Sequence, residues 1–510
     1  MNKYITYILA FLLYCITFYV ATQCRFPELD EIYFADAPAN LLLNGEWKSH
    51  IVYSQFLYQP LYAFVLIPWM LIFGVSHYSV CGLGVLFGFV TCIALLQACK
   101  TLCLISHPWQ EYLLIVGFWA VNTFTDFETF GRPDNLGMLI TLLIIYTFLR
   151  YPNIASRNAL LLGIMLILVG VYEVPVFIFF FSLMMIFSYN NRKELTCWLR
   201  KGVYFASGIL VGELLVCVFF FLNRYTSLMS YIQYTFMSSM NANATSTNGV
   251  IDRMYETYTY NWYITFIFVL FIVLLIVKKI SYNKIITFFI ISLPGLMTLA
   301  GRFVPYYSWI YYIPLCVLMV YTLRNYKKAA CTFISLLVLS SVSYFVSQWF
   351  TTYGFQEATI GELNEKKNKC SNYFEEKRNI ISHFDNVVLS EEQLYYHVVN
   401  SGGEVWFQYR KNIDSKLEFY NYNDMNGYLD SKLKRKSDDY INKPYIGTFL
   451  YFYRYRNPRQ PYFPEQGICI YTCEEEKTTS LAFLKHFGYN YNCLDDSGEF
   501  SIYQFNKIDI

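Results

Sequence analysis

Four carboxylates fall within nine residues near the start of the chain: Glu28, Asp30, Glu31 and Asp36, in Phe26-Pro-Glu-Leu-Asp-Glu31-Ile-Tyr-Phe-Ala-Asp36-Ala-Pro. A carboxylate set against a hydroxyl can take its proton during attack, which contributes ~10²–10⁴-fold to a rate. The plain reading is different: acidic residues favour a helix N-terminus, and Leu41–Leu43 followed by Asn44-Gly45 supply an apolar end and a stop for such a helix. On a helix, Asp30 and Glu31 project about 100° apart, so they cannot share one task. Arg132 and Arg302 each fall at the end of a predicted membrane span. A guanidinium there can grip a phosphate with two parallel hydrogen bonds, or simply snorkel to the interface. Asp134 lies just inside a predicted span, where a carboxylate is costly unless paired, and Arg132 is a ready partner. Glu173 falls at another span end, where an interfacial turn accounts for it. Tyr306 and Tyr307 could line a ligand path; an ordinary aromatic belt explains them equally well.

The elements that must position these residues are apolar. The chain of 510 residues is 55% hydrophobic and 15% charged, against roughly a quarter charged in soluble domains. A net charge of +2 offers no basic surface for nucleic acid, and the apolar excess excludes disorder. The class is a polytopic α-helical membrane protein. Taking ~20 apolar residues per span, about eleven spans are predicted, at 4–22, 78–99, 109–123, 132–149, 158–172, 174–189, 202–222, 260–277, 283–300, 304–322 and 329–348. The first is expected to be an uncleaved anchor. The stretch Leu57–Val75, with Pro60 and Pro68, reads as an interfacial or re-entrant helix inside a long outer loop of about 23–77.

Lysine and arginine set the orientation. Fourteen basic residues fall in the loops of one side and six in those of the other, which puts the N-terminus in the cytoplasm of a plasma (inner) membrane protein. Residues 1–350 carry 20 of the 39 Lys and Arg, and the remaining 160 residues carry 19. Residues 351–510 are therefore expected to form a soluble extracytoplasmic α/β domain, with strands at 386–390, 404–409, 445–453, 467–472 and 499–505 and helices at 351–380, 428–439 and 480–487. Cys370, Cys469, Cys473 and Cys493 in that part permit two disulfides. His50, His77 and His107 make no ligand spacing with the acidic cluster along the chain.

The pattern Asp30-Glu31-x-Tyr33, an apolar-faced helix, Gly45-Glu-Trp47, Tyr58-Gln59-Pro60-Leu-Tyr and Phe73-Gly74-Val75 resembles the opening of the GT-C membrane glycosyltransferases. In style it is similar to the lipid A aminoarabinose transferases and to the protein O-mannosyltransferases of glycosyltransferase family 39. Gly131-Arg132-Pro133-Asp134-Asn and Gly301-Arg302-Phe-Val-Pro-Tyr306-Tyr307 extend the resemblance, in order, over about the first 330 residues. What it implies is transfer of a sugar from a polyprenyl-phosphate donor to an acceptor hydroxyl of a lipid, glycan or protein at the outer face, usually with inversion. Asp30 would be the base and Glu31 an orienting, capping or metal-binding neighbour. Arg132, Arg302, Tyr306, Tyr307 and Gln59 would meet the donor phosphate, and Tyr33, Asp134 and Glu173 would make structural or substrate contacts. The lipid A enzymes often carry a basic residue at the position of Gln59, a departure that argues against lipid A as acceptor. The resemblance leaves a divalent metal ion open and implies no other cofactor.

Two other classes fit the composition. A polysaccharide polymerase or ligase would have its large outer loop between later spans, whereas the long acidic loop here follows the first. A transporter should carry paired charges deep in its spans, whereas most charges here sit at span ends; a scaffold in envelope assembly is the other non-enzymatic reading.

Overall fold

The computed structural model describes residues 4–23, 25–50, 60–105, 107–124, 130–150, 156–169, 192–222, 262–279, 317–352, 360–407, 422–431 and 463–508, less short gaps at 318, 322, 426, 429–430, 473 and 498. The predicted spans 174–189, 283–300 and most of 304–322, and the predicted strand 445–453, lie outside the described residues.

The apolar runs fold as helices: α1 (Tyr4–Gln23), α2 (Leu29–Asn44), α3 (Pro60–Phe73), α4 (His77–Thr101), α5 (Pro108–Phe124), α6 (Asp134–Arg150), α7 (Ser156–Val169), α8 (Arg192–Leu222), α9 (Trp262–Val277) and α10 (Lys327–Thr352). By length and composition α1 and α4 could cross a membrane. Ile8, Phe11 and Leu12 on α1, Leu210, Leu214 and Val218 on α8, and Val269, Val273 and Ile276 on α9 point outward. An apolar outer surface of that kind matches lipid rather than water. α8 begins at Arg192 rather than at 202, because the polar stretch Arg192–Lys201 continues the helix beyond its apolar part. α3 starts at Pro60, where a missing N–H costs nothing.

Polar side chains lock the first helices together. Tyr14 of α1 donates to Asn122 Oδ1 of α5 at 2.8 Å, and Asn122 Nδ2 donates to Asn135 Oδ1 of α6 at 2.8 Å. Thr17 and Thr123 pair at 2.9 Å. Among apolar helices such bonds specify which faces meet, and here they fix the start of α6 beside α1 and α5.

Beyond the helices lie α11 (Ile360–Ile381), β1 (Asn386–Leu389), a short helix α12 (Tyr395–Asn400), β2 (Glu404–Phe407), β3 (Gln466–Tyr471), α13 (Glu474–His486), β4 (Tyr489–Ser497) and β5 (Phe500–Lys507). The strands form one sheet in the order β2-β1-β3-β5-β4, with β1 parallel to β2 and β3, and β5 antiparallel to β3 and β4. Side chains alternate across it. Val387, Leu389, Ile468, Ile470 and Ile502 face one core with Phe374 and Leu394, while Val388, Cys469, Tyr471 and Phe505 face another with Phe483 and Phe487. Both faces are covered, as parallel strands require. β4 and α12 carry no sequence prediction: β4 is polar (Tyr489-Asn-Tyr-Asn-Cys-Leu-Asp-Asp-Ser) and α12 is a single short turn-and-a-half. Of the predicted helix 428–439, only residues at its start are described.

Lys367 ties α11 to α1, donating to the carbonyls of Thr22 at 2.7 Å and Gln23 at 3.1 Å. A cation at the last turn of a helix meets the negative end of its dipole. The disulfides that the sequence permits are not made among the described residues, where Cys370, Cys469 and Cys493 are free thiols. Cys370 and Cys469 are buried in the packing of helix and strand, where cysteine serves as a small apolar side chain.

Candidate active site

The acidic cluster does fold as a helix start. α2 opens after Glu28, whose side chain makes no capping bond, and closes at Gly45 with φ 71°, a left-handed turn that glycine takes without a Cβ penalty. Asp30 therefore stands in the first turn of α2; its side chain lies outside the described residues.

Glu31 is fully buried and heavily held. Its Oε2 accepts from Arg25 Nη2 at 3.1 Å, and its Oε1 faces His77 Nδ1 at 2.8 Å and accepts from the Tyr396 hydroxyl at 2.8 Å. Cys81 Sγ lies 3.8 Å from Oε2 and 3.7 Å from His77 Nδ1. Burial would raise the pKa of this carboxyl, but His77, Arg25 and Tyr396 outweigh it and hold the group below the usual glutamate range. Glu31 is thus an anion locked to four neighbours. It caps nothing.

The histidine reading needs correction. His77 is 46 residues from Glu31 in sequence, yet the fold sets their side chains in contact. The signal was local: His77 and Cys81 stand four apart on α4, and so share one helix face.

One turn further along α2, Asp36 is also fully buried and accepts from the Tyr395 hydroxyl at 2.7 Å. Burial pushes its carboxyl up to about 7, against hydrogen bonds from Ser49 and Tyr395 and with some help from Glu404. α12 thus meets both buried carboxylates, Asp36 and Glu31, with consecutive tyrosines. Its neighbour β2 extends the contact. Glu404 binds Lys48 and, at 2.7 Å, His50 Nε2, and the His50 ring stacks on Trp406 with centroids 3.8 Å apart. Burial would raise the Glu404 carboxyl, but His50 and Lys48 keep it low.

Asp36 carries a pH prediction. Its folded-state value lies above its unfolded value near 3.8, so the folded form holds a proton that the unfolded form has lost. This contribution is present below the unfolded value and is lost as pH rises towards 7, at up to ~1.4 kcal/mol per pH unit. Thermal unfolding of the detergent-solubilised chain should show that decline between pH 4 and 7, and Asp36→Asn should flatten it. An unchanged slope in the variant rules the assignment out.

Arg132 and Asp134 join the same place. Arg132 Nε donates to Asp134 Oδ2 at 2.9 Å, and both residues are buried. The snorkelling reading of Arg132 therefore fails, and the pairing expected for Asp134 is made. The Arg132 guanidinium also lies 5.9 Å over the ring of Phe34 on α2. Gly131 sets the spacing: a Cβ there would come within 2.4 Å of Glu31 Cγ, so only glycine lets this turn reach α2. Tyr33 is partly buried and packs against the core. Gln59, Glu173, Arg302, Tyr306 and Tyr307 lie outside the described residues. The fold thus assembles Glu31, Asp36, Arg132 and Asp134 and adds Arg25, His77, Cys81, Tyr395 and Tyr396, none of which sequence reasoning singled out as a site residue.

Among solved structures, the chain is similar to the crystal structure of ArnT from Cupriavidus metallidurans bound to undecaprenyl phosphate. The match covers 99% of this chain and 98% of that one, at 11% identity and a TM-score of 0.51. The fold is that of ArnT. The apo form of ArnT aligns over 98% of this chain and 97% of its own, at 10% identity and a TM-score of 0.47. No protein-family model and no curated protein matches the chain. The ArnT likeness runs through both the helices and the sheet, and it accords with the GT-C resemblance expected from the motifs of the first loop.

Proposed function

We propose that this chain is an integral-membrane glycosyltransferase of the inner membrane, with its N-terminus in the cytoplasm. It moves a sugar from a polyprenyl-phosphate donor to an acceptor hydroxyl of a lipid, glycan or protein at the outer face, with inversion. The observation that carries the reading is the ArnT fold over the whole chain, since that relative is described as bound to undecaprenyl phosphate. The α2 site supports it, because buried carboxylates and a paired arginine gather at the helix start that carries Asp30.

In this reading the donor tail lies in lipid and its phosphate meets Arg302, Tyr306, Tyr307 and Gln59. Arg132, bonded to Asp134, orders the turn against α2. The acceptor enters beneath residues 351–510, where α12 overhangs α2. Asp30 takes the hydroxyl proton as the oxygen attacks the anomeric carbon from the face opposite the phosphate, and polyprenyl phosphate leaves. Inversion needs this one base and no protein nucleophile. Glu31 holds α2 in place and does not compete as a base, since its carboxylate is buried and held by Arg25 and Tyr396.

The test is mass spectrometry of envelope glycolipids, glycans and glycoproteins from cells with and without the protein. Loss of one sugar from one acceptor class on deletion names donor and acceptor together. An unchanged envelope, with the protein expressed in the reference cells, overturns the reading.

A further inference from the structure

His77, Glu31 and Cys81 bring three different donor atoms to one buried place. His77 Nε2 lies 3.2 Å from the carbonyl of Ala21 and its Nδ1 lies 2.8 Å from Glu31 Oε1, so both ring nitrogens face oxygen acceptors. A neutral imidazole donates from one nitrogen alone. A ring that gives its Nε2–H to Ala21 turns an Nδ1 lone pair toward Glu31 Oε1, where a shared cation would sit. The third donor is already in place, because Cys81 Sγ lies 3.7 Å from His77 Nδ1 and 3.8 Å from Glu31 Oε2. One donor atom from each residue lies within 4.8 Å of the others, and all three residues are buried.

We propose that Glu31, His77 and Cys81 form a zinc site that fastens the start of α2 to the start of α4. One thiolate, one imidazole and one carboxylate is a ligand set for Zn²⁺, whereas Mg²⁺ and Ca²⁺ take oxygen alone. The Ala21 carbonyl supplies the outer partner that a metal-bound histidine normally has on its second nitrogen. The Tyr396 hydroxyl, 2.8 Å from Glu31 Oε1, closes the site from α12. Arg25 Nη2, 3.1 Å from both Glu31 Oε2 and Cys81 Sγ, stands where it can hydrogen-bond a metal-bound thiolate.

On binding, the Cys81 thiol gives its proton to solvent, so the Glu31 carboxylate and the Cys81 thiolate together match the two positive charges of one Zn²⁺. The site is a structural one, and it does not depend on the transfer reaction proposed above.

The full-length chain, purified in detergent without chelator, should hold about one zinc per chain by elemental analysis. X-ray absorption at the zinc edge should show one sulfur, with nitrogen and oxygen for the remainder. After stripping and loading with Co²⁺, the chain should show a thiolate-to-cobalt charge-transfer band in the near ultraviolet. Cys81→Ser should lose the band, and His77→Gln should lose the stoichiometric metal. Failure of the wild-type chain to retain zinc at saturating Zn²⁺ overturns the proposal, as does bound zinc with no sulfur ligand or unchanged binding in both variants. The absorption measurement uses the wild-type chain alone, so a misfolded variant leaves the test decisive.

Discussion

Replacing Asp30 by Asn is expected to lower sugar transfer by ~10²–10⁴-fold with little change in thermal stability. Asparagine keeps the shape and can still sit at the first turn of α2, where Asp30 stands, but it cannot take a proton. Loss of the interaction with the helix dipole costs ~0.3–1 kcal/mol. Once deletion has named donor and acceptor, single-turnover transfer by the purified chain reads the chemical step directly. Asp30→Glu should keep part of the rate, because a carboxylate remains. A folded Asp30→Asn variant that transfers at the wild-type rate would leave the chain without its proposed base, whatever the donor.

Glu31→Ala should do the reverse and strike stability first. Its carboxylate is fully buried and joins Arg25, His77 and Tyr396. Removing one partner of a buried charge pair leaves the other unpaired, at ~3–5 kcal/mol. The unfolding temperature in detergent should fall markedly, and transfer should fall with it as α2 loses its anchors on α4 and α12. The control is Glu28→Ala. Glu28 also pairs with Arg25, at 3.8 Å, but its side chain is 38% exposed, and exposed pairs contribute ~0–1 kcal/mol. Equal unfolding temperatures for the two variants would show that burial of Glu31 carries no such energy. Adjacent carboxylates thus separate by experiment, with Asp30 governing rate at constant stability and Glu31 governing both.

The environment of α2 also divides its two buried acids. Glu31 meets Arg25 and His77 and stays ionised; Asp36 meets hydroxyls from Ser49 and Tyr395 and sits near neutrality. Neutral neighbours cannot repay the desolvation of a carboxylate, whereas cationic ones can. Sequence spacing carries little trace of this difference, because apart from Arg25 the groups that decide it come from α4, the loop after α2, and α12.

What the sequence determined by itself is whatever depends on local pattern. Apolar runs of span length became α1, α4, α5 and α10 close to their predicted bounds, since helices in an apolar setting satisfy their own backbone. Asn44-Gly45 ended α2, because glycine alone takes that left-handed turn freely. The valine- and isoleucine-rich strands β1 and β3 were legible for the same reason. Only the tertiary structure decided the rest. The polar strand β4 forms because β5 offers it an edge, which no local propensity reveals. His77 reaches Glu31, Tyr396 reaches Glu31 and Tyr395 reaches Asp36 across 46, 365 and 359 residues, respectively. These contacts exist because close packing of α2, α4 and α12 buries polar groups that must then be hydrogen-bonded, and that packing is a property of the assembled chain.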